Sequence, residues 1–458
     1  MQTHRTRQCV RAEPADPESL QRAVRQLLAD KVSGTLVGLW LLVPEHLRLG
    51  TWDLLRGWTG QAAENVEPRL ALQLVHEAAL CVTGLRQTRT LSQKGFELAN
   101  GLPFVASDQA IHELLDAHTV QEAEQLQRAL GLIRRARGHF SGQIVAIDPH
   151  RLRSYSKRQM RRHRCLNAAA AKPQKCAQTF FALDADTHQP ICLVSHSASR
   201  TATEATAELL PLARTILAPN AKNPRPLVVA DGEHFTLEII DQIVRQAGFD
   251  LLVPMPNQPV YQRQWAQTPP QAFGRRWAGL AIAKTRLERE ADLPPIYQIV
   301  QRCGEKAGAY RYKGFWSTAD RDELQDLIIE FPKRWHIEEF FHDDQALGWK
   351  RAGTLNLNVR YAQMTFALLA QAALHQLRTR LGAPFAQWQA EHLAKKLLAG
   401  LDGDIRVHDD TIIVTYYNAP DVERLRQHYE GLPEKLRAEG VSPNIPWLYD
   451  FKLDFRFK

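Results

Sequence analysis

The sequence predicts an α/β protein: a mixed sheet flanked by helices, with an all-helical N-terminal domain ahead of it and a β-rich subdomain inserted in it. Three observations carry this prediction. From residue 142 onward, short apolar runs of strand character alternate with helical spacing, in the order strand, hairpin, helix, strand, helix, strand and a later helix. Residues 1–140 show helical spacing. The interval from Asp231 to Glu338 is longer than one helix and one strand need, and the surplus is strand-like. A chain of 458 residues also exceeds one ordinary core and implies two to four domains.

In the N-terminal region, Leu20, Val24, Leu27 and Leu28 form one stripe, and residues 67–86 are apolar at similar spacing. Ser107 caps a helix beginning DQAIHELL, and another helix runs through VQEAEQLQRALGLIRRARGH. Short helices and tight turns suit DNA recognition and suit a plain helical support equally.

The core begins with IVAID, a short apolar run ending at Asp148. Between Asp148 and Asp184 lie nine Lys or Arg residues and no acid, including Arg151, Arg153, Lys157, Arg158, Arg161 and Arg162. Such a run is either a solvated loop or a phosphate-binding segment, and its one-sidedness favours the second. TFFALDAD and HQPICLVS read as a hairpin, ASRTATEATAELLPLARTIL as a helix despite Pro211, PLVVADGEHF as a strand, FTLEIIDQIVRQAG as a helix and FDLLVP as a strand.

A Pro-rich boundary at Pro254–Pro270 opens the surplus, which holds the strand-like pieces WAGLAIAKTRLERE, PIYQIVQRC and AYRYKGFWST. Residues 258–320 carry ten Lys or Arg against five acids. Tyr310 and Tyr312 alternate with Arg311 and Lys313, which puts aromatics on one face of a strand and cations on the other. With Trp316 they make either a platform for a splayed base or ordinary core. The expected divisions are 1–140, 141–257, 258–320 for the insertion, 321–400, and 401–458 for a small closing element.

Residues 329–348 read as one helix on which Arg334 and Glu338, four apart, share a face. Trp335, Ile337, Phe340 and Phe341 supply the apolar surface that locks it to a core. GWKRAGTLNLNVR follows, then YAQMTFALLAQAALHQLRTRL, a long apolar helix expected to pack across the sheet. The tail has strands at IRVHD and TIIVTYY and a helix at DVERLRQHYEGLPEKLRAEG.

Composition narrows the function. With 44% hydrophobic and 24% charged residues the chain is globular, and a net charge of +8 points to a polyanionic partner. Its six cysteines form no CxxC pair, which suits a reducing cytoplasm and argues against a disulfide scaffold. His163, Cys165 and Cys176 fit no common zinc spacing. The N-terminus lacks a signal-peptide core, and the apolar run at 35–43 is far shorter than the roughly 20 residues a membrane span needs, so a soluble, cytoplasmic protein is expected.

Lone acids are usually solvated or cap helices, but Asp148 and Asp231 each follow an apolar strand, which puts them at a sheet edge over a cleft. Asp231 also suits a helix cap. Asp184, Asp186, Glu233, Glu339, Asp343 and Asp344 are the competing acids, and Arg334 has a plain alternative as the intrahelical partner of Glu338. His150 and His234 flank the two aspartates and are candidates for phosphate contact. Three carboxylates from separate elements suit a pair of Mg²⁺ ions, since hard cations take oxygen ligands and leave positions open for phosphate.

The run RWHIEEFF resembles the insertion-sequence DDE transposases of the IS-four type, whose signature is Tyr, two residues, Arg, three residues, Glu, six residues, Lys. Arg334 and Glu338 fit; Phe331 stands in the Tyr position and Gln345 in the Lys position, with Lys350 or Arg351 just beyond to supply the positive charge. IVAID, VVADGEHF, GWKRAGTLNLN and WLYDFKLDFRFK resemble the family as well, so the likeness runs from about residue 140 onward. The resemblance implies an RNase H-like core in which Asp148 and Asp231 lie on neighbouring strands. It also implies a catalytic, metal-binding set of Asp148, Asp231 and Glu338 holding two Mg²⁺ ions, with Mn²⁺ as a substitute. The expected activity is cleavage at transposon ends and strand transfer into target DNA by a homodimer on double-stranded DNA, with no nucleotide cofactor. Arg334 would sit near DNA phosphate. A catalytically silent DNA-binding relative and an RNase H-like nuclease without joining activity are the alternatives.

Overall fold

Two runs of four apolar residues, Ile144–Ile147 and Leu227–Ala230, are buried on both faces, which places them inside a sheet and not at its edge. The computed structural model describes residues 16–62, 64–82, 91, 93–154, 162–163, 172–197, 199–220, 223–289, 293–349, 354 and 356–458. The chain forms two compact units. One comprises Met1–Leu126, Asp344–Lys350 and Ala362–Lys458, the other Gln127–Asp343 and Arg351–Tyr361. No helix among the described residues is long and apolar enough to cross a membrane.

Among the described residues, the N-terminal part of the first unit is helical apart from the three-residue strand β1 (Val32–Gly34). Its first helix, Pro17–Ala29, is capped by Asp16, whose side chain accepts from the Ser19 N–H, and it buries the stripe Leu20, Val24 and Leu28. Helices at Thr51–Thr59, Glu67–Ala79 and Asp108–Asp116 follow, the last capped by Ser107 as expected.

The second unit holds the large sheet. β2 (Ile144–Arg153) pairs antiparallel with β4 (Gln174–Asp184), and the two-residue β3 (Arg162–His163) pairs with the start of β4. β5 (Gln189–His196) completes the expected hairpin with β4. β6 (Leu227–Ala230) lies parallel to β2, and β7 (Asp250–Pro254) lies parallel to β6. The core order is therefore β5–β4–β2–β6–β7, with helices Ala202–Leu217 and Leu237–Asp241 in the two crossovers. This is the mixed sheet of an RNase H-like fold. The first crossover helix starts at a capping box in which Thr201 and Glu204 exchange side-chain and backbone hydrogen bonds, and it runs through Pro211.

The inserted strands are β8 (Gly274–Trp277), β9 (Leu280–Leu287), β10 (Ile296–Cys303) and β11 (Arg311–Ser317). β11 pairs antiparallel with β7, so the insertion continues the core sheet to ten strands. A small cluster of Met255, Trp265, Phe273, Ala281, Ala283 and Val300 forms its own apolar centre.

The expected single helix over 329–348 is a succession of pieces. A wide-turn segment spans Gln325–Glu330, a tight 3₁₀ segment Phe331–Trp335, an α-helix His336–Asp344 and a 3₁₀ turn Gln345–Leu347. The tight segment advances three residues per turn, which shifts the faces relative to a regular helix. Ile337, Phe340 and Phe341 are buried as expected, but Trp335 is 55% exposed and locks nothing. The long helix Leu357–Leu381 begins in the second unit, where Arg360 donates to His196 O and Thr179 Oγ1 and the Tyr361 hydroxyl to Leu193 O. Its remainder belongs to the first unit.

The C-terminal strands β12 (Gly403–His408), β13 (Thr411–Tyr416) and β14 (Lys452–Phe457) join β1 in a second sheet, ordered β1–β12–β13–β14. Residues 422–438 form two helices, Val422–Tyr429 and Leu432–Ala438, broken at Gly431, whose φ of 68° suits glycine.

Candidate active site

Ile147 of β2 lies opposite Ala230 of β6 in parallel register. One step further each strand delivers an aspartate, Asp148 on β2 and Asp231 just past the end of β6. The parallel order thus brings two acids 83 positions apart to the same end of adjacent strands. Asp231 caps the 3₁₀ turn Gly232–His234, its Oδ1 accepting from the Glu233 N–H at 3.0 Å and from Nδ1 of His234 at 3.0 Å. His234 is 1% exposed and bonded to Asp231, so it is placed to orient that carboxylate and not to meet a phosphate. Glu233 in turn is gripped by Arg151 of β2, whose two terminal nitrogens donate to its carboxylate at 2.7 and 2.6 Å.

Glu338 comes from the first turn of helix His336–Asp344. Phe340 and Phe341 of that helix meet Phe181 at ring-centre distances of 5.7 and 5.3 Å, and Phe181 is the β4 residue directly opposite Asp148. His150 stacks obliquely on Phe341 at 4.5 Å. Arg334 is buried beside this helix and donates to Glu338 Oε1 at 2.9 Å.

The charges of these groups are coupled. Burial pushes the Asp148 carboxyl well above its ordinary range, the Asp231 charge pushes it further, Arg334 opposes, and Glu338 and Glu233 add to the rise. At Asp231 burial also acts upward, but the hydrogen bond and charge of His234, the Glu233 N–H and Arg334 outweigh it and hold the carboxyl below its ordinary value. One aspartate is thus kept ionised while its neighbour is pressed toward the neutral acid. A divalent cation is the counter-charge that would return Asp148 to a carboxylate, and three hard oxygen donors suit such an ion.

Asp148 feels both Asp231 and Glu338, but the three carboxylates do not form a group whose ligand atoms all lie within 4.8 Å; among the described residues the group that does is His188, His336 and Glu339. Glu338 is drawn instead onto Arg334. The competing acids have other work. Asp184 is buried and accepts from the Gly142, Asp186 and Thr187 N–H groups, closing a turn. Asp186 pairs with Lys333, Asp343 faces His342, and Asp344 pairs with Arg378.

Of the candidate DNA contacts, Arg334 acts electrostatically on both aspartates, Arg151 is committed to Glu233, and Arg153 and Arg162 are exposed. Lys157, Arg158, Arg161, Lys350 and Arg351 lie outside the described residues. Tyr312 and Trp316 are partly buried against the apolar centre of the insertion, with Trp316 4.0 Å from Phe235, while Tyr310 lies beneath Arg302 at 4.6 Å. Phe331, in the Tyr position of the signature, packs edge-on to Phe315 at 5.1 Å. Sequence reasoning missed the Arg151–Glu233 clamp, which spans 82 positions without a local signal, and misassigned His234. The short spacing from Asp231 to His234 was the available sign.

Residues 139–372 match a family model described as a transposase DDE domain. No curated protein matches the chain. Among solved structures it is similar to the piggyBac transposase, in a cryo-EM structure of the synaptic complex with hairpin DNA. That match has 10% identity and a TM-score of 0.43, over 78% of this chain and 79% of that one.

Proposed function

We propose, from the premise that this chain belongs to the transposase DDE-domain family, that it is a cut-and-paste DNA transposase of the IS-four type acting through Asp148, Asp231 and Glu338. The observation that carries this reading is geometric: the pairing of Ile147 with Ala230 brings Asp148 and Asp231 to the same end of adjacent strands, and Phe340 and Phe341 seat the Glu338 helix on Phe181, the residue opposite Asp148. Two Mg²⁺ ions held by these three carboxylates, with Mn²⁺ as a substitute, would polarise the scissile phosphodiester and lower the pKa of the attacking water.

The chain's own residues prepare that chemistry. His234 and the Glu233 N–H hold Asp231 as an oriented carboxylate, and Arg151 fixes Glu233 so that the turn keeps its shape. The aromatic contacts with Phe181 seat the Glu338 helix beside Asp148. Arg334 offers charge to both aspartates and, once Glu338 turns away, a guanidinium for a DNA phosphate. Water attack at the transposon end frees a 3′-OH, which then attacks target DNA; each step is direct displacement at phosphorus, so no covalent protein intermediate and no nucleotide cofactor are needed. The partners are the terminal inverted repeats and target DNA, with two copies of the chain acting on paired ends.

The test is a joining assay with a pre-cut end and a supercoiled target in Mg²⁺. Joined product is expected. Nicking without joining would leave a nuclease, and end binding with neither reaction would leave a silent DNA-binding protein.

A further inference from the structure

Beside the acidic set, on the same unit, lies a second group of donors of different chemistry. His188 sits in the turn between β4 and β5, and His336 and Glu339 stand three apart on the first turn of the helix that carries Glu338. A ligand atom from each lies within 4.8 Å of the other two. The imidazoles stack at a ring-centre distance of 3.9 Å and 25° between planes, and His188 Nδ1 is 3.8 Å from Glu339 Oε2.

We propose that His188, His336 and Glu339 form a binding site for a borderline transition-metal ion, Zn²⁺ or Co²⁺ in character, distinct from the carboxylate set. Two imidazoles and one carboxylate favour such an ion over Mg²⁺, which prefers an all-oxygen shell. His336 shows the bond that usually accompanies metal ligation: its Nδ1 lies 2.6 Å from the carbonyl oxygen of Ala185. A carbonyl can only accept, so Nδ1 carries the proton and Nε2 is the nitrogen left to ligate. Donors around one tetrahedral ion stand about 3.4 Å apart for metal–ligand bonds of about 2.1 Å. Two imidazoles whose planes are only 25° apart aim their lone pairs side by side, so binding requires His188 to swing out of the stack and Glu339 to turn with it; both are exposed side chains with room to do so. Three protein ligands leave a fourth position open to water. An ion there would tie the hairpin turn to the helix turn that bears Glu338.

The test uses the full-length chain in equilibrium dialysis against Zn²⁺, with Co²⁺ absorption in the visible as a readout of coordination. One saturable Zn²⁺ is expected, together with a tetrahedral Co²⁺ spectrum. Glu339→Gln and His188→Ala, both at exposed positions, should weaken binding by at least about tenfold. Asp148→Asn should bind Zn²⁺ as the wild type does, and millimolar Mg²⁺ should not displace it. The proposal is overturned if the wild type binds no saturable Zn²⁺, if Glu339→Gln and His188→Ala both bind as tightly as the wild type, or if Asp148→Asn removes the ion.

Discussion

Nδ1 of His234 donates to Oδ1 of Asp231 across 3.0 Å, and the imidazole that does so is 1% exposed. A buried donor aimed at one carboxylate oxygen fixes its orientation and favours its ionised form. His234→Phe should therefore let the Asp231 carboxyl rise and slow end cleavage by about 10–100-fold. Because the loss comes from a carboxyl that now protonates more readily, it should deepen as pH falls. His234→Asn, which keeps a donor, should recover part of the rate. Cleavage of a labelled end measured across a pH series checks this; a uniform loss at every pH would assign His234 a packing role alone.

Asp148 is pushed upward by burial first and then by Asp231, so its charged form is held at a cost in the folded chain. For an acid raised in this way the cost is absent below the unfolded value near 3.8 and grows as pH rises above it. Asp148→Asn should then raise the melting temperature in chelator at pH 7–8 and leave it unchanged near pH 3. The same variant should lose cleavage by roughly a thousandfold while still binding ends, because a metal-linked term of several kcal/mol disappears. Asp231→Asn and Glu338→Gln should show the same loss of cleavage. Wild-type cleavage by any one of them removes that residue from the site.

Much of this arrangement is legible in the chain. IVAI and LVVA read as buried strands, and once the strand order is inferred their aspartates are neighbours. The helix of Glu338 is legible from Ile337, Phe340 and Phe341, whose burial follows helical spacing. Its approach is not: residues 331–335 wind as a 3₁₀ turn, and the change of pitch that carries Trp335 outward leaves no mark in a pattern read at 3.6 residues per turn. Nor is the clamp of Arg151 on Glu233, since nothing local distinguishes a cation bound for DNA from one bound for a carboxylate in the turn after the neighbouring strand. The strands of the insertion are visible in the sequence, but their joining the core through the β11–β7 pairing is a choice of edge that periodicity does not encode.

A separate pH response belongs to Asp326. It is 1% exposed, its Oδ1 accepts from Arg321 Nε at 2.9 Å, and its Oδ2 has no hydrogen-bond partner. Burial raises its carboxyl to about 6, with Arg321 opposing and Glu330 adding. Below pH 3.8 both states are protonated and nothing is lost; between 3.8 and about 6 the folded state loses stability, by about 3 kcal/mol at most above that range. Asp326→Asn removes this loss but also the ion pair with a partly exposed Arg321, worth about 0.2–1 kcal/mol. The variant should be more stable than the wild type at pH 8 and no more stable at pH 4. Denaturant midpoints at the two pH values decide it, and equal shifts at both would show that the charge is not the cause.

Trp335 offers a way to reach the DNA surface without touching the acids. It is 55% exposed, and the Arg334 guanidinium lies 4.8 Å from its ring centre. If DNA lies over this site as the proposed function requires, a large aromatic held in solvent next to a cation that acts on both aspartates would stack on a base once a phosphate reaches Arg334. Since it fills no core, Trp335→Ala should change stability by less than about 0.5 kcal/mol. Binding of end DNA should weaken by about 1–3 kcal/mol, the worth of one stacked base. No phosphate contact is removed, so the slope of affinity against salt should stay as in the wild type, whereas Arg334→Ala should flatten it by about one unit. Affinity titrations at three salt concentrations separate the two: a flattened slope in Trp335→Ala would mean the ring only steadies Arg334, and unchanged affinity would mean that DNA passes elsewhere.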